Sequence, residues 1–246
     1  MSIIEFKNVS KAFGDHAVIK GMNLSIEEGE TITIIGGSGS GKSVTLKLLL
    51  GLIAVDEGQI FFRGKDVVIM TEDELVAMRA KIGMLFQGAA LFDSLTVFEN
   101  VAYPLIEHFD HSEEELKRIV GEKLELVGLP GTEAMYPADL SGGMKKRVGL
   151  ARAIATNPEV ILYDEPTTGL DPANTNRIDE LILNLQKVLK VTSIVVTHDM
   201  ASAYKISNRL ALLHEKKIEF VGTVNQTKGS ANPIVQNFIK GEIGNI

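Results

Sequence analysis

The chain has 246 residues, enough for a sizeable core in one or two domains. With 45% hydrophobic residues, 23% charged residues and a net charge of −7, it has a globular composition and lacks the basic stripe of a nucleic-acid surface, so no nucleic-acid partner is expected. It has no cysteine, which removes disulfides, thiolate metal sites and cysteine nucleophiles together and fits a reducing compartment.

The opening residues, Met1 to Lys7, lack the basic-then-apolar order of a secretion signal. The longest apolar-rich run, Val44 to Val55, is short and carries Lys47, so no bilayer span is predicted and a soluble chain is expected. Ile3 to Val9 alternates in polarity like a half-buried strand. A turn at Phe13-Gly14-Asp15-His16 leads to Ala17–Ile19 and Met22–Ile26, short strands that predict an antiparallel sheet beside a parallel one. Phe13 can either stack on a purine ring or pack in the core. Glu28-Gly29-Glu30 then turns the chain into Thr31–Ile35, which is β-branched throughout, as in a buried parallel strand.

Directly after that strand, Gly36-Gly37-Ser38-Gly39-Ser40-Gly41-Lys42-Ser43 reads G-x-x-x-x-G-K-[ST], a phosphate-binding loop. Glycines let the backbone fold tightly enough to aim several N–H groups at one anion. The helix that begins near Val44 adds the partial positive charge of its N-terminus, Lys42 adds a full charge, and Ser43 offers a hydroxyl to Mg²⁺. Against the overall negative charge, these local groups must hold a triphosphate by themselves. The bland alternative, a flexible Gly-Ser linker, has no need of the flanking strand and helix.

Glu57 to Lys65 reads as a strand and tight turn, and Thr71 with Glu74 as a capping box opening a helix to about Ala80. Ile82–Phe86 is a further strand that delivers Gln87, either a ligand-facing amide or a surface glutamine. From about Gly88 to Ala155 the pattern turns helical, with a second capping box at Ser112 and Glu115. Ser141-Gly142-Gly143 before a helix is either a second anion site or a simple Ser cap. Val160–Tyr163 is a buried strand ending in Asp164-Glu165. There Asp164 can hold Mg²⁺ through water and Glu165 can take a proton from an attacking water, or both can be solubilising charges. Ala173–Lys190 is an amphipathic helix, and Thr192–Thr197 a strand that ends at His198. Two strands, Leu210–Leu213 and Ile218–Val221, a polar link from Thr223 to Asn232 and a short helix after Pro233 complete the chain.

Taken together, Phe13, the loop Gly36–Ser43, Gln87, Leu140-Ser141-Gly142-Gly143, Val160–Glu165, Gly169-Leu170-Asp171 and His198 stand in the order found in the ATP-binding subunits of ABC transporters, and the whole chain resembles that family. The resemblance implies ATP and Mg²⁺ as cofactors. It makes Glu165, His198 and Lys42 catalytic, and gives nucleotide contacts to Phe13, Val18, Gly36, Gly37, Ser38, Gly39, Ser40, Gly41, Lys42, Ser43, Val44 and Gln87. Mg²⁺ falls to Ser43, Gln87 and Asp164. In a homodimer, Ser141, Gly142, Gly143 and Asp171 of one copy would complete the site of the other. The family signature ends in Gln where this chain has Met144, which loses a polar contact and keeps the Ser141 hydroxyl and the Gly143 N–H.

Phe86–Phe92, Asn100–Leu105 and Leu140–Met144 further resemble the ATPases of MCE-associated (Mla-type) phospholipid-trafficking systems. The expected fold is α/β: a P-loop NTPase core of ABC type with an antiparallel β-subdomain, about residues 1–87 and 157–246, and a helical subdomain, about 88–156. The expected function is ATP hydrolysis that powers phospholipid transport through separate transmembrane permease subunits. The chain would then sit at the cytoplasmic face of the inner membrane, bound through its partner only. A permease ATPase for another substrate, a soluble ABC ATPase in iron–sulfur assembly and a slow nucleotide switch are the rival readings.

Overall fold

The computed structural model describes residues 2–241. In chain order they form β1 (Ser2–Phe13), β2 (His16–Glu27), β3 (Thr31–Ile35), α1 (Lys42–Leu49), β4 (Glu57–Phe62), β5 (Lys65–Asp66), α2 (Glu72–Arg79) and β6 (Ile82–Leu85). There follow α3 (Val97–His108), α4 (Glu113–Leu126), α5 (Gly142–Ala153), β7 (Val160–Asp164), α6 (Pro172–Leu189), β8 (Thr192–Thr197), α7 (Met200–Ile206), β9 (Arg209–His214), β10 (Lys217–Thr223), α8 (Val224–Lys228) and α9 (Pro233–Ile239). Two compact units emerge. One holds the described residues up to Val76 and those from Thr192 onward, the other Ala77–Val191.

The first unit carries an antiparallel sheet in the order β2-β1-β4-β5, and strands β10-β9-β3-β8 in which β3 runs parallel to both β8 and β9. All five residues of β3 are buried, as expected of a β-branched strand covered on both faces. The N-terminal strands are longer than their patterns suggest. β1 and β2 run for twelve residues each, paired from Ser2↔Glu27 to Phe13↔His16. The predicted break at Lys20-Gly21 is instead a register irregularity inside β2, with Gly21 at φ +59°. The link from Thr223 to Asn232 is also not wholly irregular. Thr223 and Gln226 form a capping box that starts α8, a signature overlooked beside the surrounding polar residues.

In the second unit β6 and β7 pair in parallel, Leu85 against Tyr163, with α3, α4 and α5 packed together. The capping boxes Thr96/Glu99 and Ser112/Glu115 start α3 and α4. Asn100 of α3 is wholly buried. Its amide donates to the carbonyls of Phe92, Leu95 and Thr96 and accepts from the Phe92 N–H, which fixes the loop ahead of the helix. Helix α5 lies hard against β6, since a side chain at Gly83 would run into the Ala153 carbonyl. Gly83→Ala is therefore expected to cost about 1–3 kcal/mol by overpacking. The measurement is a urea melt, where the midpoint should fall at constant slope; an unchanged midpoint would show that α5 can retreat.

Candidate functional site

In the first unit the phosphate loop leaves β3 at its carboxyl end. Two of its glycines are required by close approach. A Cβ on Gly36 would sit 2.5 Å from the Leu213 carbonyl oxygen, and one on Gly41 would sit 3.0 Å from Val18 Cγ1. Gly41 also has φ +106° and is the N-cap of α1. No side chain of the N-cap caps that helix and no acidic residue stands in its first turn, so its positive end faces the loop with no carboxylate of its own. Ser40 Oγ is buried in the loop with no hydrogen-bond partner among the described residues. Such an arrangement fits a phosphate.

Lys42 is expected to point at solvent or ligand. It is 7% exposed, with Nζ in the loop donating to the carbonyls of Gly36 (2.9 Å) and Gly37 (3.0 Å). The ammonium is thus held inside the loop's own curl. Ser43 and Val44 begin α1 half-buried, Gly37, Ser38 and Gly39 are exposed, and Gly39 takes φ +75°. Val18 touches the loop through Gly41, whereas Phe13 stands at the tip of the β1–β2 hairpin with half its surface exposed. Lys11 Nζ lies 5.4 Å from the Phe13 ring centroid and is paired with Asp56, so the ring is not core. Ile35 pairs with Thr197, which brings Gly36 and the exposed His198 out at the same sheet edge.

The second unit gathers the remaining candidates. Asp164 and Glu165 are each 8% exposed at the end of β7, and Glu165 takes the left-handed φ of +49°, uncommon for a side chain of its size. Thr168 Oγ1 donates to Glu165 Oε2 at 3.0 Å. Gln87 follows β6 on an exposed turn in which Ala89 and Ala90 are also left-handed (φ +62° and +48°). Between these two stretches lies Lys146 of α5. Its buried ammonium donates to the Gln87 carbonyl, and to the Glu165 carbonyl at 3.1 Å. Burial pushes its pKa down, opposed by the carboxylates of Asp164 and Glu165.

Ser141 caps α5, its Oγ accepting from the Met144 N–H at 3.3 Å. Asp171 caps α6 by accepting from the Asn174 N–H and side-chain amide. A Cβ on Gly143 would sit 2.7 Å from Asn174 Oδ1, and one on Gly142 3.8 Å from Leu170. Gly143 and Asp171 therefore meet at Asn174, and Gly142 lies against the neighbouring Leu170. The sequence reading passed over Asn174, Lys146, Thr168 and Arg152. Asn174 is legible as the third residue after a capping Asp, while Lys146 stands among three consecutive cations with no local signal to set it apart. The apolar stretch from 88 to 105 divides: Ala89, Val97, Val101, Ala102 and Leu105 fill the unit, whereas Phe92 and Tyr103 stay exposed in ring contact, centroids 4.9 Å apart. With Phe86, Arg79, His108 and Arg152 these two rings line a groove of about 460 Å³.

The family described as "ABC transporter" matches residues 19–168. The chain belongs to the ABC transporter family. As an ABC subunit it binds ATP and is an ATPase. The intermembrane phospholipid transport system ATP-binding protein MlaF of Haemophilus influenzae is 41% identical over 241 residues, covering 98% of this chain and 91% of its own. The probable ribonucleotide transport ATP-binding protein mkl of Mycobacterium leprae is 40% identical over 238 residues, covering 97% of this chain and 69% of its own. Among solved structures, the dimeric post-hydrolysis state of the ATP-binding cassette MJ0796, bound to ADP and Pi, superposes with a TM-score of 0.82 at 35% identity. That match covers 90% of this chain and 98% of that one. Among the described residues of this ABC ATPase, no helix is long and apolar enough to cross a membrane.

The Asp171 cap has a pH signature. Bonds from the Asn174 backbone N–H and then its side-chain amide hold the Asp171 carboxyl below the usual carboxylate range. Its stabilising contribution is thus complete above the unfolded pKa of about 4 and is lost as pH falls through the lower folded value. Exchange at the Asn174 amide, measured relative to its intrinsic rate at each pH, should be slow at neutral pH and speed up in acid below that range. In Asp171→Ala it should be fast at both; slow exchange in the variant would mean that the cap does not hold α6.

Proposed function

We propose that this chain is the ATP-hydrolysing subunit of a transporter that moves phospholipid through separate membrane permease subunits. One observation carries the nucleotide chemistry. The loop Gly36–Ser43 puts a buried ammonium and an uncapped helix N-terminus at one point, on a glycine backbone that approaches its neighbours too closely for side chains. In this reading the N–H groups and Lys42 hold the triphosphate, Phe13 stacks on the adenine beside Val18, and His198 meets the terminal phosphate. Ser43, Gln87 and Asp164 would hold Mg²⁺, whose preference for hard oxygen ligands suits a hydroxyl, an amide oxygen and a carboxylate. The cation would neutralise charge on the phosphates. Glu165 accepts the proton of the attacking water, its side chain oriented by Thr168.

Two copies would work together. Ser141, Gly142, Gly143 and Asp171 of one copy would close over the ATP bound by Lys42 of the other, in keeping with the dimeric state of the related MJ0796 cassette. We place residues 88–156 as the helical subdomain of this arrangement. The groove of the second unit, with Phe86, Phe92 and Tyr103 exposed beside Arg79 and His108, is suited to a short apolar helix of a permease. The subunit would then sit at the cytoplasmic face of the inner membrane by this contact alone. The phospholipid reading draws on MlaF, which matches across 98% of this chain.

Glu165→Gln should retain ATP binding and lose about 10²–10⁴-fold in turnover, whereas Lys42→Ala should lose the binding itself. Calorimetry and a phosphate-release assay separate the two. Near-normal turnover in Glu165→Gln would remove that residue from its role, and unchanged affinity in Lys42→Ala would remove the loop from its own.

For the cargo, the full chain is used to capture its complex from native membranes, and the bound lipid is analysed. The expected result is a multi-spanning permease with phospholipid. A permease that carries no lipid, or a nucleotide-type permease, would overturn the cargo and leave the ATPase intact.

A further inference from the structure

Helix α5 packs against β6, and at position 146 it buries a lysine. Lys146 is only 5% exposed. Burying an ammonium is costly unless it is fully bonded, and in many proteins an apolar residue of similar volume would be as stable. What the ammonium does here is bridge two backbone oxygens from different stretches, the carbonyl of Gln87 and, at 3.1 Å, the carbonyl of Glu165. The second of these belongs to a peptide whose residue is held at φ +49°, a conformation that persists in a non-glycine residue only where the surroundings over-determine it.

The same helix grips the turn after Gln87 from its far end. Arg152 donates through both terminal nitrogens, to the Ala90 and Ala89 carbonyls, at 2.7 Å each. Between the two cations, a Cβ on Gly149 would lie 3.3 Å from both Cβ and O of Ala89, so no side chain there could intervene. One face of α5 thus holds the turn 87–90 along its length, and through Lys146 its bonds continue to Glu165.

We propose that Lys146 is a positioning residue for ATP hydrolysis: by bonding the carbonyls of Gln87 and Glu165 together it keeps the Glu165 peptide left-handed and its carboxylate aimed. A displacement of the turn at Gln87 then reaches Glu165 through this ammonium group. Without that ammonium, both carbonyls lose a donor and Glu165 is able to relax toward an ordinary backbone conformation, which swings its side chain away. The inference rests on Glu165 being the general base.

The test uses the full chain and four variants: Glu165→Gln, Lys146→Met, Lys146→Gln and the double variant Lys146→Met with Glu165→Gln. Methionine matches the lysine stem without a donor, and glutamine is too short to reach both carbonyls. Lys146→Met should lower kcat by about 10–100-fold, as a misplaced reacting group does, with KM for ATP held within about twofold. In single-turnover measurements the double variant should be no slower than Glu165→Gln alone, because Lys146 acts through that carboxylate. A raised KM at parental kcat, a parental kcat, or a double variant slower than Glu165→Gln would each overturn the role of Lys146 while leaving Glu165 in place. Unchanged turnover in Glu165→Gln would instead remove the base, and the inference with it. Should Lys146→Met fail to melt cooperatively, Lys146→Gln decides on the same kcat and KM criteria.

Discussion

Strands β3, β7 and β8 are buried along their whole lengths, and that constraint governs where chemistry can occur. A strand covered on both faces has no solvent side on which to place a reactive group, so polar side chains can emerge only where it ends. Register then decides which ends coincide. Ile35 lies against Thr197 in the first unit, and Leu85 against Tyr163 in the second. Gly36 therefore leaves the sheet beside His198, and Gln87 follows its strand out on the same side as Asp164 and Glu165. The reactive set is a consequence of strand lengths and pairing more than of loop design.

The groups at those strand ends are held in conformations and surroundings that a stability-driven fold would avoid. Glu165, Ala89 and Ala90 are left-handed without being glycine, and Lys42 and Lys146 are buried cations. Each is compensated by backbone: Lys42 by the carbonyls of Gly36 and Gly37, Lys146 by those of Gln87 and Glu165, and the alanine turn by Arg152. Carbonyls bonded in this way keep each ammonium and its neighbours in one arrangement, which suits a site that must meet phosphate with fixed geometry. Strain of this kind is commonly found where function needs pre-organisation.

Local patterns account for much of this fold. The β-branched run Thr31–Ile35, the glycine loop behind it, and the capping pairs Thr71/Glu74 and Ser112/Glu115 all lie where their spacing puts them, because each depends on neighbours within a few residues. The misreadings were also local. An irregularity at Gly21 looked like a strand break, and a Thr-x-x-Gln cap was lost in a polar stretch. Phe13 stood open between stacking and packing until the hairpin placed its ring half in solvent beside Lys11.

The order of motifs along the chain was thus enough to recognise an ABC ATPase, because phosphate chemistry demands a fixed glycine–lysine spacing and paired carboxylates at a strand end. Lys145, Lys146 and Arg147, by contrast, are three consecutive cations that the sequence does not tell apart. Only tertiary packing buried Lys146 between two carbonyls while leaving Lys145 and Arg147 half-buried. It likewise set Asn174 between Asp171 and Gly143, and turned Lys42 inward onto its own loop. These outcomes depend on residues far apart in the chain arriving within hydrogen-bond distance, and no local spacing encodes that arrival.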